Sequence, residues 1–199
     1  MQAGASVELG REDDVLEIPW ASPDGRVRYY DLKRQPELLL NIDEAHHHRE
    51  LGEFLASINS PNSILETAKC DIWLSNELSE EEAIYGVGWK FGSYIDLIFA
   101  DPAPRFVFEA HEDFADRASR LLHRVPEIPS AAEFIVRRCY YHGAEPAAQP
   151  REGFCITFYL YGYGDDESDA RRRWGIALKV IENALLQLSA MQRKEMAGG

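Results

Sequence analysis

The closing stretch of this chain, Gly153 to Gln192, constrains its fold most. A strand rich in aromatics, Phe154-Cys155-Ile156-Thr157-Phe158-Tyr159-Leu160-Tyr161, runs through Gly162-Tyr163-Gly164 into a long helical pattern. On that helix Trp174, Ala177, Ile181, Ala184, Leu185, Leu188 and Met191 share one stripe. An alternating strand and a one-striped helix each have a face to bury, and each can cover the other. Phe154, Ile156, Phe158 and Leu160 form the fully apolar set and suit the side under the helix. Cys155, Thr157, Tyr159 and Tyr161 suit a wetter surface, a cleft or a second layer.

The rest of the chain supplies further strands and two more helices. Val15 to Ala21 and Arg26 to Leu32 read as a hairpin across Ser22-Pro23-Asp24-Gly25. Glu37 to Ile58 is mostly helical, with His47, Leu51, Phe54, Leu55 and Ile58 on one face and Asp43 as an N-cap. Cys70 to Glu77 reads as a strand, and Ala83 to Phe91 with Tyr94 to Ala100 as a hairpin. Its connection, Gly92-Ser93, is the two-residue kind that begins with Gly. That register sets Trp89 opposite Asp96 and puts Trp89, Phe91, Tyr94 and Asp96 on one face.

Phe106 to Glu109 reads as a short strand, His111 to Arg124 as an amphipathic helix, and Ala132 to His142 as the partner of the closing strand. The closing helix spans Asp166 to Gln192. Together these predict an α+β fold: one twisted, mainly antiparallel β-sheet built from hairpins, with a long C-terminal helix and two other helices packed on it. The 199 residues suit one domain, 1–199, with 1–12 and 193–199 as flexible ends.

A meandering sheet closed by a long C-terminal helix resembles the helix-grip architecture of the START and Bet v 1-type proteins. The resembling part is Phe154 to Leu188, above all Gly162-Tyr163-Gly164 and the helix with Trp174. The resemblance implies a hydrophobic ligand held between sheet and helix. The helix at His111 to Arg124 departs from it by interrupting the strands, and the opening hairpin departs from it by preceding the first helix.

Charge narrows the function classes. The net charge of -13 lacks the basic footprint of a nucleic-acid binder, and an anionic membrane surface repels it. No apolar run reaches membrane-spanning length and no signal-peptide core opens the chain, so the expected location is cytoplasmic. Cys70, Cys139 and Cys155 form no C-x-x-C pair and read as structural thiols. Phosphate loops, Rossmann fingerprints, calcium loops and G-x-S-x-G elbows are all missing from the sequence, so no cofactor is expected and the reading leans away from an enzyme.

Three candidate sites remain. Trp89, Tyr94, Asp96, Tyr159 and Tyr161 form a ligand-binding set, because a mid-strand carboxylate among aromatics must be paired, hydrated or functional. Arg137 and Arg138 are possible partners for Asp96. Glu77, Glu80, Glu81 and Glu82 form an acidic loop that could dock a basic partner, although a solvated loop explains it equally. His46 and Glu50 stand four apart and could chelate a metal, but three consecutive histidines, His46 to His48, point in three directions and H-E-x-x-H is absent. The leading expectation is a non-catalytic module, of inhibitor or immunity type, that binds a basic protein. The alternatives are a small-molecule-binding protein and a metal-dependent hydrolase using His46 and Glu50.

Overall fold

The computed structural model describes residues 1–10, 16–22, 24–26, 28–80, 82, 86–125, 128–143 and 149–197. Its strands are β1 (Gln2–Glu8), β2 (Leu16–Ile18), β3 (Leu65–Ser75), β4 (Trp89–Phe99), β5 (Ser130–Tyr141) and β6 (Arg151–Gly164). They form one sheet in the order β1-β5-β6-β4-β3, with β2 also pairing β5. The pairs among β3, β4, β6 and β5 are antiparallel, whereas β1 and β2 run parallel to β5. The sheet is therefore mixed. The helices are α1 (Asp43–His47), α2 (Arg49–Ile58), α3 (Phe108–Leu122) and α4 (Glu167–Ala197).

The helices cover one sheet face. Ile156, Phe158 and Leu160 of β6 are buried with Ala170, Trp174, Ala177, Leu178, Ile181, Leu185 and Leu188 of α4. Phe134 of β5 stacks on Phe158 at 5.3 Å and joins the same core. Met191, read as part of the stripe, is exposed. Gly162 and Gly164 lie inside β6, and a Cβ at either would collide with the backbone of Ala170, or of Ala170 and Trp174. They let α4 sit directly on the strand, and the Trp174 indole then donates to Ser93 Oγ at 2.9 Å.

The central hairpin does not form. Gly92 and Ser93 lie in the middle of β4, one strand from Trp89 to Phe99. Gly92 is needed because the Trp73 indole fills the space beside it, where a Cβ would lie 2.6 Å from Cε2. With no turn, alternation continues unbroken. Phe91, Ile95, Leu97 and Phe99 join the helix-side core and Trp89 packs against it. Tyr94, Asp96 and Ile98 occupy the other face, so Trp89 is separated from the residues it was grouped with.

Other expectations shift for similar non-local reasons. Among the described residues, the opening hairpin is an Ala21–Arg28 bridge with a Gly25 N–H to Ser22 carbonyl bond of 2.8 Å at its turn, and Val15, Pro23 and Val27 lie outside the described residues. Its first arm becomes β2, paired to β5 instead. Residues 1–12, read as a loose end, include the edge strand β1, and the last helix continues to Ala197. The first helical region is broken into a 3-10 turn, α1 and α2, because His48 is extended at φ -131, ψ 94. Ile42, not Asp43, is the N-cap residue of α1. Residues 106–109 belong to a 3-10 turn and the start of α3 rather than to a strand.

Among the described residues, the second sheet face is covered only in part. Ile18 packs there on Ala68, Ile98, Cys139, Tyr141 and Cys155, with Leu16, Tyr29 and Phe106 against them. Two contacts hold this opening segment in place. The Trp20 indole donates to the Ala68 carbonyl at 2.7 Å, and Lys33 Nζ donates to the carbonyls of Ser60, Ser63 and Leu65 at 3.1, 3.0 and 2.8 Å. Among the described residues, no helix is long and apolar enough to cross a membrane.

Candidate functional site: a charged cleft on the second sheet face

Beside this small second core the sheet opens into a cleft of about 680 Å³. Tyr94 and Asp96 of β4, Thr157 and Tyr159 of β6, Lys69 of β3 and Arg137 of β5 line it, and Trp20 stands at its edge. The register explains the grouping. Asp96 pairs with Lys69 on one side and with Thr157 on the other, and Cys155, two residues before Thr157, pairs with Arg137.

Asp96 is only 6% exposed. Thr157 Oγ1 donates to its Oδ1 at 2.6 Å. Burial raises its pKa to about 6, against the opposing effects of the Thr157 hydroxyl, Lys69 and Arg137. Lys69 forms no ion pair among the described residues; its ammonium lies 5.3 Å from the Trp20 ring centroid and 5.8 Å from that of Tyr94. Arg137 is engaged elsewhere. Its Nη2 donates to Glu8 at 2.7 Å and its guanidinium lies 5.7 Å from the Tyr159 ring centroid.

An aromatic quartet extends from the cleft. Trp73 meets Tyr94 at 6.5 Å, Tyr94 meets Tyr159 at 6.0 Å, Tyr159 meets Tyr161 at 6.5 Å, and Tyr161 returns to Trp73 at 6.0 Å. These rings are part-exposed and rest on three neighbouring strands, with Trp73 over the bare backbone of Gly92. Such a surface offers aromatic area with polar groups on its rings.

The structure thus brings together Tyr94, Asp96 and Tyr159, places Tyr161 one step away in the quartet, and puts Trp89 on the opposite face. Lys69 and Trp20 were not singled out from sequence. Lys69 stands just before the strand predicted from Cys70, and the true strand begins at Leu65. Only the β3–β4 pairing reveals its relation to Asp96.

The other candidate groups are dispersed. Glu82 turns inward: Lys90 Nζ meets it at 2.9 Å, the Tyr163 hydroxyl donates to it at 3.0 Å, and the Ser79 N–H at 2.8 Å. Burial works to raise its pKa, but these three donors outweigh it and the net direction is downward. Glu77 and Glu80 are exposed, and Glu81 lies outside the described residues. His46 and Glu50 fall on different helices, either side of the break at His48. His46 Nε2 lies 2.5 Å from the Leu40 carbonyl oxygen, whereas Glu50 lies 3.6 Å from Arg171. Among the described residues, no group of three His, Cys, Asp or Glu side chains could hold a metal ion. Cys139 and Cys155 are buried.

Compared with protein-family models, with curated proteins and with solved structures, the chain has no match in any of the three.

Proposed function

We propose that this chain is a small-molecule-binding protein and that its site is the cleft over Asp96. The observation that carries the reading is Asp96 itself, a nearly buried carboxylate at an open cavity beside a lysine with which it forms no ion pair. A buried charge kept only for structure is normally paired, because an unpaired one costs several kcal/mol. A ligand that completes the site accounts for the arrangement, and the cavity is of a size that takes small organic molecules. This site lies on the face opposite the one the helix-grip resemblance implies. The layer under α4 is filled by Phe158, Leu160, Trp174, Ile181 and Leu185.

A fragment screen by ligand-observed NMR tests the reading. Fragments that bind the wild-type chain should lose their signal with Asp96→Asn and with Lys69→Met. Fragments that bind all three proteins alike would place binding elsewhere and defeat the proposal. The basic-partner reading keeps the support of the net charge and of exposed Glu77 and Glu80, but Glu82 is already engaged by Lys90 and Tyr163.

A further inference from the structure

The charges of the cleft point to a particular ligand chemistry. We infer that it takes a small zwitterion, a free α-amino acid with an apolar side chain, whose ammonium meets Asp96 and whose carboxylate meets Lys69. The inference rests on the small-molecule reading above and narrows it.

Lys69 and Asp96 are register partners on adjacent strands, and both line the cleft. Directly opposed side chains of opposite charge ordinarily interact across a sheet. Here they do not close on each other. The Lys69 ammonium stays over the rings of Trp20 and Tyr94, and among the described residues the Asp96 carboxylate takes one hydrogen bond, from Thr157. Two opposite charges therefore face one cavity separately.

The remaining charges at the cleft already have ion-pair partners, although among the described residues the Nε atoms of Arg137 and Arg138 are buried without a hydrogen bond. Arg137 is held by Glu8 at 2.7 Å, Arg138 lies 3.8 Å from Glu152, and Glu17 meets His142 at 3.1 Å. A ligand with only a negative charge would suit Lys69 and be repelled by Asp96. A ligand with only a positive charge would suit Asp96 and be repelled by Lys69 and Arg137. A ligand carrying both complements both, and mismatched charges in a desolvated site are what such a site discriminates against. Trp20, Tyr94 and Tyr159 supply the apolar walls for its side chain.

Isothermal titration of the full chain with L-phenylalanine, 3-phenylpropionate and 2-phenylethylamine tests this at about pH 7.5, where Asp96 is ionised. L-Leucine and L-methionine, run alongside, allow for the shape of the side-chain walls. At least one of the three amino acids should bind. Whichever amino acid binds best should be preferred at least about tenfold over each of its own two one-charge analogues, the acid and the amine. Asp96→Asn should erase the preference over the acid, and Lys69→Met the preference over the amine. The comparison on the wild-type chain decides the matter even if a variant fails to fold. An analogue that binds as tightly as its amino acid would overturn the zwitterion inference and leave the cleft a small-molecule site. Failure of all three amino acids to bind would also overturn it, while the fragment screen separately decides the broader reading.

Discussion

The indole of Trp73, on β3, occupies the space that a side chain at Gly92, on β4, would need. This contact seats one ring of the quartet against the backbone of β4, which runs through Gly92 as one strand.

Gly92→Ala should therefore destabilise the protein by about 1–2 kcal/mol, the ordinary range for overpacking when a side chain can partly give way. In a Trp73→Ala background the same substitution should cost much less. Urea unfolding of the four proteins measures the coupling, and additive effects would show that the indole does not set the requirement for glycine.

Gly162→Ala should be more severe. The new Cβ meets the backbone of Ala170 and Trp174, which cannot rotate away. A loss on the order of 3–5 kcal/mol is expected, read from guanidinium melts or from the failure of the variant to accumulate as folded protein. A wild-type-like melt would show that α4 can lift off β6 freely.

Asp96 should make the protein less stable as pH rises. Its pKa is raised from 3.8 to about 6 in the folded chain, so the folded state holds the proton over that window while the unfolded state releases it. The penalty is absent below about pH 4, grows through the window and is complete above it, and the difference between the two values corresponds to about 3 kcal/mol. Asp96→Asn should accordingly be more stable than wild type by about 1–3 kcal/mol at pH 8, with the gain vanishing toward pH 4. Parallel urea melts at both pH values check the sign, and a stability loss at pH 8 would mean that the carboxylate is held by favourable contacts.

Glu82 should behave in the opposite sense. Its pKa is lowered, so the stability it contributes is present above the ordinary glutamate value and is lost as pH falls through the folded value. Glu82→Gln should cost about 1 kcal/mol near neutral pH and approach wild type in acid, since Lys90 and Tyr163 lose a charged acceptor. Thermal melts across the acidic range measure it. An equal cost at every pH would assign the effect to packing alone.

Much of the cleft lining is legible in the sequence. Period-two alternation in β6 separates Ile156, Phe158 and Leu160 from Thr157, Tyr159 and Tyr161, and the helical period of α4 tells which set it covers. Asp96 follows from the cost of burying a lone mid-strand carboxylate, and Tyr94 from sharing its side of the strand. For Trp89 and Phe91 a single local inference gives the wrong face. The pair Gly92-Ser93 reads locally as a turn, which reverses the alternation on its N-terminal side, whereas Gly92 makes room for an indole from β3.

For β6 and α4 the sequence by itself determined which faces are apolar, because alternation and helical stripe are properties of neighbouring residues. Only the tertiary structure decided which faces meet and which strands adjoin. The pairing of Lys69 with Asp96, the parallel seat of β1 and β2 on β5, and the contact of α4 with Gly162 all join residues distant along the chain. The cleft exists because the opening segment covers one end of the second face and leaves Asp96 at the border of that cover. Where such a cover stops is set by its packing on several strands at once, and no local pattern in the chain encodes it.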